Sequence, residues 1–125
     1  KTMADKSIVF AMANPVPEIM YEEAEEKGVY IYGSGRSDMP NQVNNSSVFP
    51  GLFRGALDVR ARQINEEMKL AAAHALATQC TLDPKHVVVD VFDKRVPHVV
   101  AKAVAEAAIK TGVARATELP AQYKD

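Results

Sequence analysis

Asn14 and the group Asn41, Gln42, Asn44 and Asn45 are the side chains of this sequence best suited to holding a small polar molecule. An amide both donates and accepts hydrogen bonds without adding charge, so several in one place can match a polar ligand closely. The group closes the stretch Gly33-Ser34-Gly35-Arg36-Ser37-Asp38-Met39-Pro40-Asn41-Gln42-Val43-Asn44-Asn45, which follows the β-rich run Val29-Tyr30-Ile31-Tyr32. Asn14 stands in Ala13-Asn14-Pro15, at the end of a second such run, Ser7-Ile8-Val9-Phe10-Ala11-Met12. Two strand ends that each deliver an asparagine suit an open parallel α/β sheet, whose ligands sit beyond the carboxyl ends of its strands.

Other polar residues have plainer readings. Asp90, Asp93, His86 and His98 follow no ligand spacing known for a metal site, so no metal site is expected from this chain's own motifs. His74 falls in an alanine-rich helical stretch as a surface or half-buried histidine, and Lys69 belongs to a solvated helix face. Cys80 is alone, which excludes an intrachain disulfide and fits a reducing cytoplasm; by itself it reads as a small buried hydrophobe. Arg36 and Asp38 read as an ion pair bracing the loop, and Asn41 and Gln42 as partners for loop backbone groups. For Asn14 an Asn-Pro turn after a strand is the plain alternative to a ligand role.

The elements that must position these residues follow from the pattern. Residues 7–12 read as a buried strand. Pro17 can open a helix with Glu18, Glu22 and Glu23 near its positive end, and Lys27-Gly28 closes it. Residues 29–32 form the next strand, so strand, helix and strand make one βαβ unit with a parallel pair. Ser46 or Ser47 is expected to cap a helix running to about Ala61, with Pro50 tolerated in its first turn. Phe49, Leu52, Phe53, Ala56 and Leu57 give that helix one apolar face. Asn65 reads as the N-cap of a third helix with Glu66 and Glu67 behind it and a buried stripe of Ile64, Met68, Ala71, Ala72, Ala75 and Leu76. Residues 81–84 break the pattern, and Val87–Val91 could be strand or extended chain. A last helix spans about Val96 to Lys110, with Val99, Val100, Ala103, Val104, Ala107 and Ala108 on one side, and Gly112 stops it. Residues 113–125 read as a tail that lies over another part of the protein or frays.

Length and composition set the class. The 125 residues favour one domain or part of one, and 47% hydrophobic with 25% charged residues is ordinary for a soluble globular protein. With a net charge of −1 and no basic face, a nucleic-acid partner has little support. The apolar helices carry too many charges to span a bilayer, and the first residues lack the form of a secretory signal. A doubly wound nucleotide-binding domain carries G-x-G-x-x-G after its first strand, opening a helix. Gly33-Ser34-Gly35 supplies only the G-x-G, with no third glycine and no helix start, so the fold class is α/β and the chain reads as the second half of such a domain.

One family fits these residues closely. Ala11-Met12-Ala13-Asn14-Pro15, the run from Gly35 to Asn45, Phe49-Pro50-Gly51-Leu52-Phe53-Arg54-Gly55-Ala56-Leu57-Asp58-Val59-Arg60-Ala61 and Ile64-Asn65-Glu66-Glu67-Met68-Lys69 together resemble the bacterial-type malic enzymes. Phe92-Asp93-Lys94-Arg95-Val96 and Thr111-Gly112-Val113-Ala114-Arg115 fit the C-terminal end of the same pattern. The resemblance covers nearly the whole chain in order. It is loosest at residues 83–91, and Ser46-Ser47 replaces a more apolar pair. On this likeness residues 1–112 are the C-terminal portion of a Rossmann-like, parallel-sheet NAD(P)-binding domain followed by packed helices, and residues 113–125 a C-terminal tail.

The resemblance implies a dehydrogenase that oxidises malate with NAD or NADP and decarboxylates the product to pyruvate, working with Mg²⁺ or Mn²⁺. It places the family's lysine base, tyrosine acid, metal ligands and glycine fingerprint upstream of Lys1, so this chain would hold no catalytic residue, no metal ligand and no activity alone. By the same likeness Asn14 binds cofactor beside the nicotinamide and its ribose, and Asn45, helped by Asn44, binds substrate. The local physics agrees: Asn45 sits just ahead of an expected helix N-terminus, where N–H groups and the helix dipole favour a carboxylate. The implied partners are malate and pyruvate, the remainder of the enzyme chain and a second copy in a homodimer. A free-standing module that binds a carboxylate metabolite without catalysis is the alternative from a different class. A generic Rossmann hydroxyacid dehydrogenase is weaker, because it leaves Phe49–Ala61 and Asn65–Lys69 without an explanation.

Overall fold

A computed structural model describes residues 2–81 and 83–124; Lys1, Leu82 and Asp125 lie outside the described residues. The order is β1 (Ile8–Ala11), α1 (Tyr21–Glu26), β2 (Ile31–Ser34), a 3-10 turn (Asn45–Ser47), α2 (Phe49–Asp58), α3 (Glu66–Ala77), α4 (Val96–Lys110) and a second 3-10 turn (Ala121–Tyr123). The chain divides into two compact units: Lys1–Asn44 with Cys80–Val91, and Asn45–Gln79 with Phe92–Asp125.

In the first unit β1 and β2 pair in parallel, Ile8 opposite Ile31 through Ala11 opposite Ser34, as the βαβ reading requires. Ala11, Ala24 and Tyr32 form its buried centre, with Ile19, Tyr21, Val29 and Met39 packed against them. The Tyr32 hydroxyl donates to the Ile19 carbonyl (2.8 Å), and the Tyr21 ring meets Tyr32 edge-on at 5.7 Å. Helix α1 starts later than expected. Pro17 is buried ahead of it, Met20 is the N-cap, and Glu18 instead accepts a hydrogen bond from the Ala13 backbone N–H (3.1 Å). That bond holds the Glu18 carboxyl below its ordinary pKa. Gly28 takes φ +80° after the helix, a left-handed position that glycine adopts without strain. The second strand lies two residues further along than 29–32. The expectation that β1 is buried is corrected: Ile8 and Phe10 are exposed, because among the described residues helix α1 packs beside β2 and nothing covers the face they share.

The second unit is α2, α3 and α4. Asn65 caps α3 as expected, accepting from the Met68 N–H (3.0 Å) while its amide donates to Thr111 (2.9 Å). Met68, Ala72 and Ala75 are its buried positions. Helix α4 has the expected bounds, but its buried side turns toward Ala101 and Ala105. Val99, Ala103 and Ala107 are only half-buried. Gly51 and Gly55 account for this rotation. A Cβ on Gly51 would stand 2.6 Å from the Val100 Cβ and 2.8 Å from the Pro97 carbonyl oxygen. A Cβ on Gly55 would overlap the Ala101 carbonyl oxygen and reach 2.9 Å from the Val104 Cβ. The α2 backbone thus lies directly on α4, and the positions facing it are the ones sealed from solvent.

Candidate functional site

The loop after β2 is built by its own polar side chains. Val43 N–H donates to the Ser34 carbonyl (2.7 Å), and Ser34 and Gln42 form a parallel bridge, so residues 35–41 close back onto the strand end. Ser34 is fully buried; its hydroxyl accepts from the Arg36 N–H (3.3 Å) and meets the Met39 sulfur at 3.7 Å. Arg36 pairs with Asp38 through two hydrogen bonds of 2.8 and 2.6 Å, which hold the Asp38 carboxyl below its usual range and raise the arginine. The pair is a local brace, as its spacing suggested.

Asn41 is the joint of this unit. It is buried and left-handed (φ +54°), and its amide donates to the carbonyls of Tyr32 and Pro84, both at 2.8 Å. Its side-chain oxygen accepts from the Val87 N–H, also at 2.8 Å. Both amide hydrogens and the side-chain oxygen bond main chain, so it is a structural asparagine. Its bonds to Pro84 and Val87 tie down the start of the 87–91 run, which forms no strand: it bends at Val88 and enters a turn at Val91.

Asn14, Asn44 and Asn45 have a different character. All three are exposed. Asn14 follows the end of β1 and is joined to Pro15 by a cis peptide, and its side chain makes no hydrogen bond among the described residues. Asn44 ends the first unit and Asn45 begins the second. Asn45 opens the 3-10 turn that feeds α2, its carbonyl accepting from the Val48 N–H (3.1 Å) and its side chain left toward solvent. Neither serine caps α2. Val48 holds the N-cap position with no side-chain hydrogen bond to the first turn. Ser47 is buried, its hydroxyl without a partner among the described residues, and the turn between Asn45 and α2 is what displaces it from the cap. The α2 N-terminus therefore has no side-chain bond from its N-cap residue, Pro50 takes one of its first-turn positions, and an exposed asparagine stands just ahead of it.

At the other end of α2 the sequence reading missed a cluster. Asp58 is nearly buried and accepts from Tyr123 (2.5 Å), from Gln122 (2.8 Å) and from Arg54 one turn back. Burial raises the Asp58 carboxyl pKa, but these three donors outweigh it and the net shift is downward. Burial, then the bond to Asp58, raises Tyr123. The tail docks along its length: the Arg62 N–H donates to the Val113 carbonyl, the Arg115 and Ala116 N–H groups donate to the Val59 carbonyl, Leu119 and Pro120 are half-buried, and Tyr123 is buried. Among the described residues no group of three or more His, Cys, Asp or Glu could hold a metal ion, and no helix is long and apolar enough to cross a membrane.

Comparison with known proteins covers nearly the whole chain. Residues 1–113 match the family model of the malic enzyme NAD binding domain. A bifunctional malic/malolactic enzyme of Bacillus subtilis is 58% identical over all of this chain and 31% of its own length. An NAD-dependent malic enzyme of Geobacillus stearothermophilus is 55% identical over 96% of this chain and 26% of its own. The crystal structure of a malic enzyme from Pyrococcus horikoshii superposes with a TM-score of 0.87 at 50% identity, covering 90% of this chain and 26% of that one. The chain thus spans about a third or less of the length of the relatives it matches.

Proposed function

The chain belongs to the malic enzymes through their NAD-binding domain, and on that premise we propose that it is a segment of an enzyme converting malate to pyruvate and CO2 with NAD or NADP. In this reading the chain binds and orients, and does not transfer protons. Asn14, at the end of β1, hydrogen-bonds the nicotinamide side of the cofactor with an amide that no neighbour engages. Asn45 hydrogen-bonds a malate carboxylate, and Asn44 assists it. The observation that carries the substrate role is the uncapped N-terminus of α2 behind an exposed Asn45. Oriented N–H groups and the helix dipole attract an anion there, and a neutral amide adds direction without cancelling charge elsewhere.

The described residues offer no donor set for Mg²⁺ or Mn²⁺, so no step is assigned to a metal ion on this chain. The metal, the acid and the base belong to the remainder of the enzyme chain in this proposal, as do a homodimeric state and a cytoplasmic location. The test is a pair of variants in the complete enzyme. Asn14→Ala should raise the KM for cofactor more than that for malate, and Asn45→Ala should show the opposite bias. Equal effects of the two variants on both substrates would overturn the division of roles.

A further inference from the structure

Asn14 can orient a cofactor only if the loop that carries it holds still, and residues 12–19 have little main-chain bonding to hold it. The two ends of this loop are fixed. Ala11 is buried opposite Ser34 in the strand pair, and the Ile19 carbonyl accepts from the Tyr32 hydroxyl (2.8 Å). Of residues 12–18 only Pro17 is buried. Among the described residues no backbone-to-backbone hydrogen bond involves residues 13–18, and Pro15 and Pro17 have no N–H to offer one.

One side chain supplies the tie. The Glu18 carboxylate accepts from the Ala13 N–H (3.1 Å), five residues back, and so closes residues 13–18 into a ring with Asn14 inside it. The pinned N–H belongs to the residue directly before Asn14, and a carboxylate holds an N–H more strongly than a neutral oxygen does. The bond to Ala13 is the largest influence keeping this carboxyl below its ordinary pKa, with the main chain of Glu18 itself and of Met12 acting in the same direction. The carboxylate is therefore ionised and committed to main chain at neutral pH. Glu18 is exposed and lies outside the buried centre of Ala11, Ala24 and Tyr32. The tie thus bears on where Asn14 points far more than on whether the unit folds.

We infer that Glu18 is a positioning residue for the cofactor: its bond to the Ala13 N–H holds the ring so that the Asn14 amide meets the nicotinamide side of NAD or NADP. The inference rests on the reading above that Asn14 binds cofactor. Glu18 touches no reacting atom and acts only through Asn14, whose side chain bonds no neighbour and takes its direction from the backbone beneath it. Without the tie the ring relaxes, and a small displacement of a group that places a reactant is felt strongly in binding and rate.

The test is a double-mutant cycle in the complete enzyme. Asn14→Ala alone must raise the KM for cofactor; if it does not, the functional reading falls and this inference with it. Glu18→Ala should raise the KM for cofactor about three- to tenfold, the weight of one net hydrogen bond, and that for malate less than about twofold. In the Asn14→Ala background the same change should alter the cofactor KM less than about twofold, because the group it positions is gone. Glu18→Gln keeps a side-chain oxygen able to accept from Ala13 and should recover most of the loss. Effects of Glu18→Ala and Asn14→Ala that multiply, a malate KM raised as much as the cofactor KM, or a Glu18→Gln enzyme no better than Glu18→Ala would each overturn the proposal while leaving the role of Asn14 intact.

Discussion

In the strand-bearing unit a single side-chain amide, that of Asn41, ties three stretches of main chain together. In the helical unit the comparable closeness comes from Gly51 and Gly55, which have no side chain at all. The first device is polar and sits over a small core of Ala11, Ala24 and Tyr32. The second is steric and lies over a continuous row of Val96, Val100, Val104 and Ala108. A short parallel pair leaves loop backbone groups that only side chains can satisfy, whereas helices satisfy their own and need only approach one another. The two units should therefore fail differently, one when a hydrogen-bonding group is removed and the other when an atom is added.

Gly55→Leu should have the largest effect. Its Cβ has no space against the Ala101 carbonyl, so α2 must separate from α4, at a cost of about 3 kcal/mol or more, read as a drop in the urea midpoint. An unchanged midpoint would show that the helices do not pack backbone to backbone. Asn41→Ala should come next, at about 2–3 kcal/mol, because it leaves buried partners unanswered in the strand unit. It should change malate and cofactor KM much less than stability; a kinetic loss larger than the stability loss would make Asn41 a ligand contact after all.

The docked tail gives a smaller effect with a pH signature. Tyr123→Phe should cost about 1–2 kcal/mol near neutral pH, through loss of a hydrogen bond to the Asp58 carboxylate. Tyr123 titrates above its ordinary value in the fold, so its contribution is full below about pH 10 and fades as pH rises through the folded pKa. Asp58 titrates below its ordinary value, so its contribution is full above about pH 4 and fades as pH falls. Unfolding midpoints across pH should show a smaller alkaline decline in Tyr123→Phe, the part due to Lys85 remaining, and a reduced acid one. An alkaline decline of unchanged size would place its source elsewhere.

Local signals carried much of this into the sequence. The Asn65 cap, the bounds of α4 and the stops at Gly28 and Gly112 each depend on residues within a few positions of one another, and the parallel strand pair follows from the strand, helix, strand order. What could not be read depended on partners far along the chain. The apolar pattern of α2 put Phe49, Phe53 and Leu57 on one face with Leu52 and Ala56, but two glycines chose the side that meets α4 and left those three exposed. Ser47 looked like a cap until a 3-10 turn intervened, and Asp58 gave no hint that Tyr123 would reach it from the chain's end. Among the asparagines, Asn41 reads from sequence as a partner for loop backbone, and burial separates it from Asn45: one spends its amide on backbone and the other is exposed.

That separation is what a kinetic measurement can test most directly. In the complete enzyme Asn45→Ala should lower kcat/KM for malate by about 10- to 150-fold, the loss of a directed hydrogen bond to a charged group worth about 1.5–3 kcal/mol. The KM for cofactor should change far less, and the circular dichroism spectrum should match that of the unsubstituted enzyme. Unchanged malate kinetics in a folded Asn45→Ala enzyme would contradict the account.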